Sequence, residues 1–338
     1  MKKKIITILV GISMIILSCV AIIVHQNTFH MRVVPVQIPT TKGELKGQLV
    51  LPKESRELAG LVVFIHGDGP VNASYHGDYE PLWEELAKLG YASLSWNKPG
   101  VEGATGNWLL QTMDDRAAEA VEVIDWARAN KEIGTEKIGL WGASQAGWVI
   151  PKIIRRDKEI AFSILVAPAI NWIDQGWYNT LVKMQQEGKT RKEQEQAKED
   201  FLWTLEMLKK HASYQEYHGG EKADQSLSEE RWNFILKNYQ ADATEDLRFF
   251  YSPVKLFLGG KDINVDSNNT KEVYEQEIPQ NILSVTLISG TDHFMLRDSI
   301  VDSKMRTTLT ALFAPRQLAH PQYYAGIKEF LQSVEKKE

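Results

Sequence analysis

The chain has a single cysteine in 338 residues, Cys19, and it lies in an apolar stretch near the N-terminus. One thiol there excludes an intrachain disulfide, a thiolate metal site and a cysteine nucleophile in the folded part. Excess positive charge is lacking too: 39 Lys and Arg stand against 44 Asp and Glu, a net charge of −5. That balance gives no electrostatic basis for nucleic acid as a partner. Internal repeats and low-complexity tracts are missing, which argues against a propeller-gated oligopeptidase. Long apolar runs are missing everywhere but one place.

That place is Ile5 to Val24, uncharged and preceded by the lysines of Met1 to Lys4. It is long enough to cross a bilayer as a helix and longer than a typical signal-peptide core. Lysines before it and few basic residues after it orient the N-terminus to the cytoplasm and the remainder outside. An uncleaved membrane anchor over residues 1–29 is therefore the first expectation, a cleaved signal the second and lipidation of Cys19 the third. Residues 30–338 are expected to form the folded domain.

What is present after the anchor is strand and helix in alternation. Val33 to Ile38 and Leu45 to Leu51 read as a hairpin around Thr40-Thr41-Lys42-Gly43. Leu61 to Ile65, Tyr91 to Trp96, Ile138 to Trp141, Ala161 to Val166, Val254 to Leu258 and Leu283 to Ile288 read as short strands, the continuous apolar runs among them being of the kind covered on both faces. Between them, Tyr79 to Leu89, Met113 to Ala129 and Thr270 to Glu277 have helical spacing, and Tyr323 to Val334 closes the chain as a helix after an irregular stretch. The alternation predicts a mostly parallel α/β sheet with helices on both faces. It breaks from about 171 to 250, where charged helical sequence, clearest from Gln185 to Lys210, carries Trp172, Trp177, Trp203 and Trp232. A helical lid over the sheet is the expectation for this insertion. The ten tryptophans suit either an apolar ligand surface or ordinary core packing.

The stretch Lys137 to Trp148, KIGLWGASQAGW, is strand, small-residue turn and helix start, the context of a nucleophile elbow around Ser144. Ala146 holds the place two after the serine where Gly is usual, and Gly147 follows. Asp262 and His293 lie in later loops, again after strands. A serine hydroxyl needs a base; imidazole can take and return its proton; a carboxylate fixes the imidazole's tautomer. Serine, acid and histidine at strand ends in this chain order predict a catalytic triad of Ser144, Asp262 and His293, with Asp266 the alternative acid. The oxyanion donors are expected from the backbone N–H of Gln145 and of Asp68, with Gly69 the alternative to Asp68. His66 is expected to be a buried structural histidine that ties down the loop, and the Asp68 carboxylate to point outward toward a cation such as Lys98.

From about Val33 onward the chain resembles bacterial α/β-hydrolase esterases near dienelactone hydrolase and the prolyl oligopeptidase catalytic domain. His66-Gly67-Asp68-Gly69-Pro70 is similar to their HGSGP loop and Asn97-Lys98-Pro99-Gly100-Val101-Glu102-Gly103 to their DKRGxGxS loop, alongside the elbow GASQAGW, GGKD at the acid and the final DHF. Asp68 replaces the commoner Ser, and Asn97 replaces an Asp, which removes a charge and would loosen that loop. The resemblance implies a serine hydrolase cleaving carboxylic esters through an acyl-enzyme, with no metal or organic cofactor; the lid suggests a small or medium substrate, and the N-terminal run makes the expected enzyme membrane-anchored and extracytoplasmic. Acyl transfer, thioester cleavage and ligand binding without catalysis are the alternatives.

Overall fold

The computed structural model describes residues 2–54, 57–131, 133–134 and 137–336. In chain order the elements are α1 (Lys2–Asn27), β1 (Met31–Thr40), β2 (Gly43–Pro52), β3 (Gly60–Ile65), α2 (Glu80–Lys88), β4 (Tyr91–Trp96), α3 (Met113–Ala129), β5 (Ile138–Ala143) and α4 (Ile150–Arg156). There follow β6 (Phe162–Val166), α5 (Trp172–Gln186), α6 (Arg191–Lys209), α7 (Tyr214–His218), α8 (Glu229–Asn238) and α9 (Thr244–Leu247). The last are β7 (Val254–Gly259), α10 (Ser267–Glu277), β8 (Leu283–Ile288), α11 (Lys304–Phe313) and α12 (Pro321–Glu335).

The strands form one sheet in the order β1-β2-β4-β3-β5-β6-β7-β8. β2 is antiparallel to both neighbours, and β3 to β8 run parallel wherever they pair. Every residue of β3, β4, β6 and β7 is buried, as continuous apolar runs require when helices cover both faces. Alternation then sorts the side chains. Leu61, Val63 and Ile65 face α3, α4 and α10. Val62 and Phe64 face α2 and α12, where Trp83, Ile327 and Leu331 complete the second layer.

Two expectations need correction. The helical stretch from Gln185 to Lys210, given no internal break in the sequence reading, is divided between two helices. Gly188, at φ +70°, ends α5, and a capping box between Thr190 and Glu193 opens α6. The stretch read as irregular before the last helix contains α11, which starts at a Ser303 cap. The insertion between β6 and β7 is wholly helical and builds its own small core on Tyr217, Trp232 and Tyr239. Trp172 on α5 joins that core to the main one, stacking on Trp148 at 4.8 Å.

Candidate active site

The turn after β5 is built around absent side chains. Ser144 has φ +56°, a strained left-handed conformation for a residue with a Cβ. A Cβ on Gly142 would lie 2.6 Å from the Ala146 methyl, so a glycine two before the serine makes room for the alanine two after it. A Cβ on Gly147 would meet Ala169 O at 2.5 Å and Ala169 N at 2.6 Å, which brings the turn against the loop after β6. The hydrogen bond from Ala169 N to Ser144 O, 3.0 Å, closes that contact.

After β7, Asp262 is buried and divides its two carboxylate oxygens. Oδ1 accepts from the N–H of Asn264 (2.7 Å) and Val265 (2.9 Å), and Oδ2 accepts from His293 Nδ1 at 2.8 Å. That bond places the histidine proton on Nδ1 and leaves Nε2 as the basic nitrogen. Asp266, the alternative acid, instead caps α10 through the N–H groups of Asn268 and Asn269. Asp292 accepts from the N–H of Phe294 and Leu296 and holds the histidine loop. The lid helix α5 supports the acid loop directly: Tyr178 Oη donates to Asp262 O at 2.9 Å and Asn179 Nδ2 to Ile263 O at 2.8 Å. Ser144 and His293 line the same cavity, but among the described residues neither Ser144 Oγ nor His293 Nε2 makes a hydrogen bond.

The loop after β3 passes over the serine. A Cβ on Gly67 would lie 3.5 Å from Ser144 Cβ. Its carbonyls are held from behind, where Lys98 Nζ donates to Gly67 O (2.6 Å) and Gly69 O (2.9 Å) and Arg116 donates to His66 O (2.6 Å). In a trans peptide the C=O and N–H point opposite ways, so fixing Gly67 O turns the Asp68 N–H away from Lys98. Neither that N–H nor the Gln145 N–H donates to another group among the described residues. Burial, and then the neighbouring Arg116 charge, hold Lys98 well below the usual lysine range; burial brings Arg116 down to about 10. His66 is buried, donates from Nε2 to Trp96 O (2.5 Å) and takes Nδ1 to Tyr79 Oη (3.2 Å); burial, then Lys98, push it down to about 3. It is a neutral loop anchor.

The Asp68 carboxylate corrects one expectation. It does not pair with Lys98, which is spent on the loop carbonyls, but with the guanidinium of Arg231 on α8, and Gln145 Nε2 adds a third bond at 3.1 Å. Burial would raise this carboxyl; the Arg231 hydrogen bond and charge outweigh it and lower the pKa. The lid thus supplies the counter-charge for an acid beside the serine, a partner with no signal in the local sequence. The substitution at Asn97 has not opened its loop either, since Asn97 is buried and its Oδ1 accepts from Ala73 N at 2.7 Å.

Ser144, His293, Asp68, Gln145 and Arg231 all line a cavity of about 620 Å³. Its lining includes Trp172, Gln175 and Arg231 of the lid and the apolar side chains of Leu82, Trp141, Leu318 and Tyr324. Among the described residues no group of three or more His, Cys, Asp or Glu is arranged to hold a metal.

The sequence and the fold have known counterparts. The family model of X-Pro dipeptidyl-peptidase (S15 family) matches residues 43–290. The chain belongs to the S15 family. Solved structures of similar fold include the esterase Pf2001 of Pyrococcus furiosus, 15% identical with TM-score 0.57 and 90% of each chain covered. Another is the Pyrococcus horikoshii acylaminoacyl peptidase, 13% identical with TM-score 0.53, covering 92% of this chain and 42% of that one. A third, a thermophilic esterase from Thermogutta terrifontis, is 16% identical with TM-score 0.51 and coverage of 90% and 99%. Comparison with curated proteins found no match. At such identities the likeness establishes the fold. This S15 chain has the α/β-hydrolase fold, and its family makes it a hydrolase.

Proposed function

We propose that the protein is a serine esterase that cleaves small or medium carboxylic esters through an acyl-enzyme. Ser144 Oγ attacks the ester carbonyl and passes its proton to His293 Nε2, while Asp262 holds the Nδ1–H and stabilises the imidazolium. The N–H groups of Gln145 and Asp68 receive the oxyanion. The intermediate collapses by breaking the C–O bond, and the leaving alkoxide takes the proton from His293. Water then repeats the sequence with His293 as base, releasing the acid and restoring Ser144. The observation that carries this reading is that His293, hydrogen-bonded through Nδ1 to Asp262, lines the same cavity as a left-handed Ser144.

The family description favours a second reading, amide cleavage after an X-Pro dipeptide. Nitrophenyl esters of increasing chain length, assayed beside Ala-Pro-nitroanilide, separate the two. Ester turnover that disappears in Ser144→Ala supports the esterase; turnover of the anilide alone replaces it with the peptidase. The anchor reading also stands as a proposal: Leu9–Asn27 is long and apolar enough to span a membrane, and the lysines of Met1 to Lys4 before it support an orientation with the catalytic domain outside the cytoplasm.

A further inference from the structure

α11 has two faces that do different things. Thr307 and Ala311 line the cavity, together with the apolar Leu318 and Tyr324. Met305, Leu309, Leu312 and Phe313, spaced i, i+4, i+7 and i+8, form a single stripe elsewhere on the helix, and they are 70%, 47%, 60% and 47% exposed. Four large apolar side chains held in water along one stripe mark a surface that meets something apolar.

The neighbour of that stripe indicates what. The C-terminal end of α1 is fastened to the segment carrying α11: Asn27 Nδ2 donates to Leu312 O at 3.3 Å, and Arg316 donates to His25 O and, at 2.8 Å, to Thr28 O. Arg316 also forms a fork with the buried Glu84 (2.6 and 2.7 Å) and lies over Phe29 at 4.7 Å. The apolar helix therefore leaves the domain at α11, and between Leu9 and Val24 most of its apolar side chains are exposed. Lys304 and Arg306 are exposed beside the α11 stripe, where cations suit lipid headgroups.

We propose that the outer face of α11 seats on the surface of the bilayer that α1 crosses, so that the cavity opens at the membrane and takes in the acyl chain of a membrane-borne ester. The proposal rests on the anchor and esterase readings and narrows the substrate class to esters with a long apolar acyl group. Thr307 and Ala311, on the inner side of the same helix, form the wall that the chain passes.

The test uses the full chain in vesicles of phosphatidylcholine and phosphatidylglycerol. An environment-sensitive fluorophore is placed on Leu309→Cys in a Cys19→Ser background, and on Leu202→Cys of the lid as a control of equal exposure, 47%. Lipid-borne nitroxide is expected to quench the Leu309 probe about threefold more than the Leu202 probe, with aqueous iodide showing the reverse order. A Leu309 probe as open to iodide as the control overturns the proposal, and so does one shielded from both quenchers, which would mean a protein contact. The same fluorophore on the native Cys19 tests the anchor separately. If that probe is unquenched by lipid nitroxide, the anchor reading and the proposal both fail; if it is quenched while Leu309 stays open to iodide, the proposal fails alone.

Uptake is read with the Met305→Ser, Leu309→Ser, Leu312→Ser, Phe313→Ser variant. Cleavage of vesicle-borne nitrophenyl palmitate is expected to fall about tenfold, while that of dissolved nitrophenyl acetate stays within about twofold. Equal effects on both esters overturn the uptake step. A wild type that cleaves neither ester overturns the esterase reading and the uptake step with it, whatever the probes show of the seat.

Discussion

Lys98 offers the sharpest perturbation of the oxyanion loop, because it acts without touching the substrate position. Lys98→Met keeps the buried stem but removes the two bonds to Gly67 O and Gly69 O, at 2.6 and 2.9 Å. Each carbonyl left without a partner costs about 1–3 kcal/mol, less where water from the cavity reaches it. The Gly67–Asp68 peptide then loses the group that fixes its direction. Outright deletion of an oxyanion donor costs about 10²–10³ in kcat. Here the N–H remains but is free to turn, so a fall in kcat of about 10–10²-fold is expected, with KM within about threefold. The assay is steady-state hydrolysis of nitrophenyl acetate, with near-UV circular dichroism to establish that the variant is folded. A folded Lys98→Met with wild-type kcat would refute the argument that Lys98 orients this donor.

Other consequences follow from the same contacts. Arg231→Met leaves the Asp68 negative charge unneutralised beside the oxyanion and is expected to lower kcat about tenfold; adding Asp68→Asn should recover most of the loss, and a double variant no better than the single would show that the charge is irrelevant. Gly147→Ala puts a methyl 2.5 Å from Ala169 O and should destabilise the protein by about 2–3 kcal/mol, read as a lowered urea midpoint. The buried His66, held at about 3, refuses a proton that the unfolded chain accepts near 6.5. Its contribution is therefore complete above about pH 6.5 and lost as pH falls, by about 1.4 kcal/mol per unit. Glu84 and Asp115, whose carboxyls Arg316 and Lys42 bring down to about 2, begin to cost stability only in more acid solution. Burial raises the carboxyls of Asp78, Glu80, Glu119 and Asp292, which oppose this slope, so the test is the difference between proteins: the loss of urea midpoint from pH 7 to 5 should be smaller in His66→Gln than in the wild type, and an equal loss in both would contradict the assignment.

The strands were legible because burial on both faces demands runs such as LVVFI and AFSILV, which little else in a soluble chain requires. Ser144 was legible because a left-handed turn excludes bulky neighbours and so leaves a trace in the sequence. The choice between Asp262 and Asp266 was not settled by spacing alone; it needed the positions of His293 and the start of α10. Arg231 carried no local signal, since it lies 163 residues from Asp68 and meets it only through the folded lid. Lys98 was visible as a charge, but its partners are backbone carbonyls, which composition does not reveal. α11 had a readable stripe at Met305, Leu309, Leu312 and Phe313, masked by the intervening Thr307, Thr308 and Thr310, residues of low helix propensity.

The central claim is that Ser144 is a nucleophile activated by His293. The full-length protein, treated with a fluorophosphonate and digested, should yield one adduct on the peptide containing Ser144, and Ser144→Ala and His293→Ala should yield none there. A wild type that stays unlabelled, or carries its label on another serine, would contradict the account.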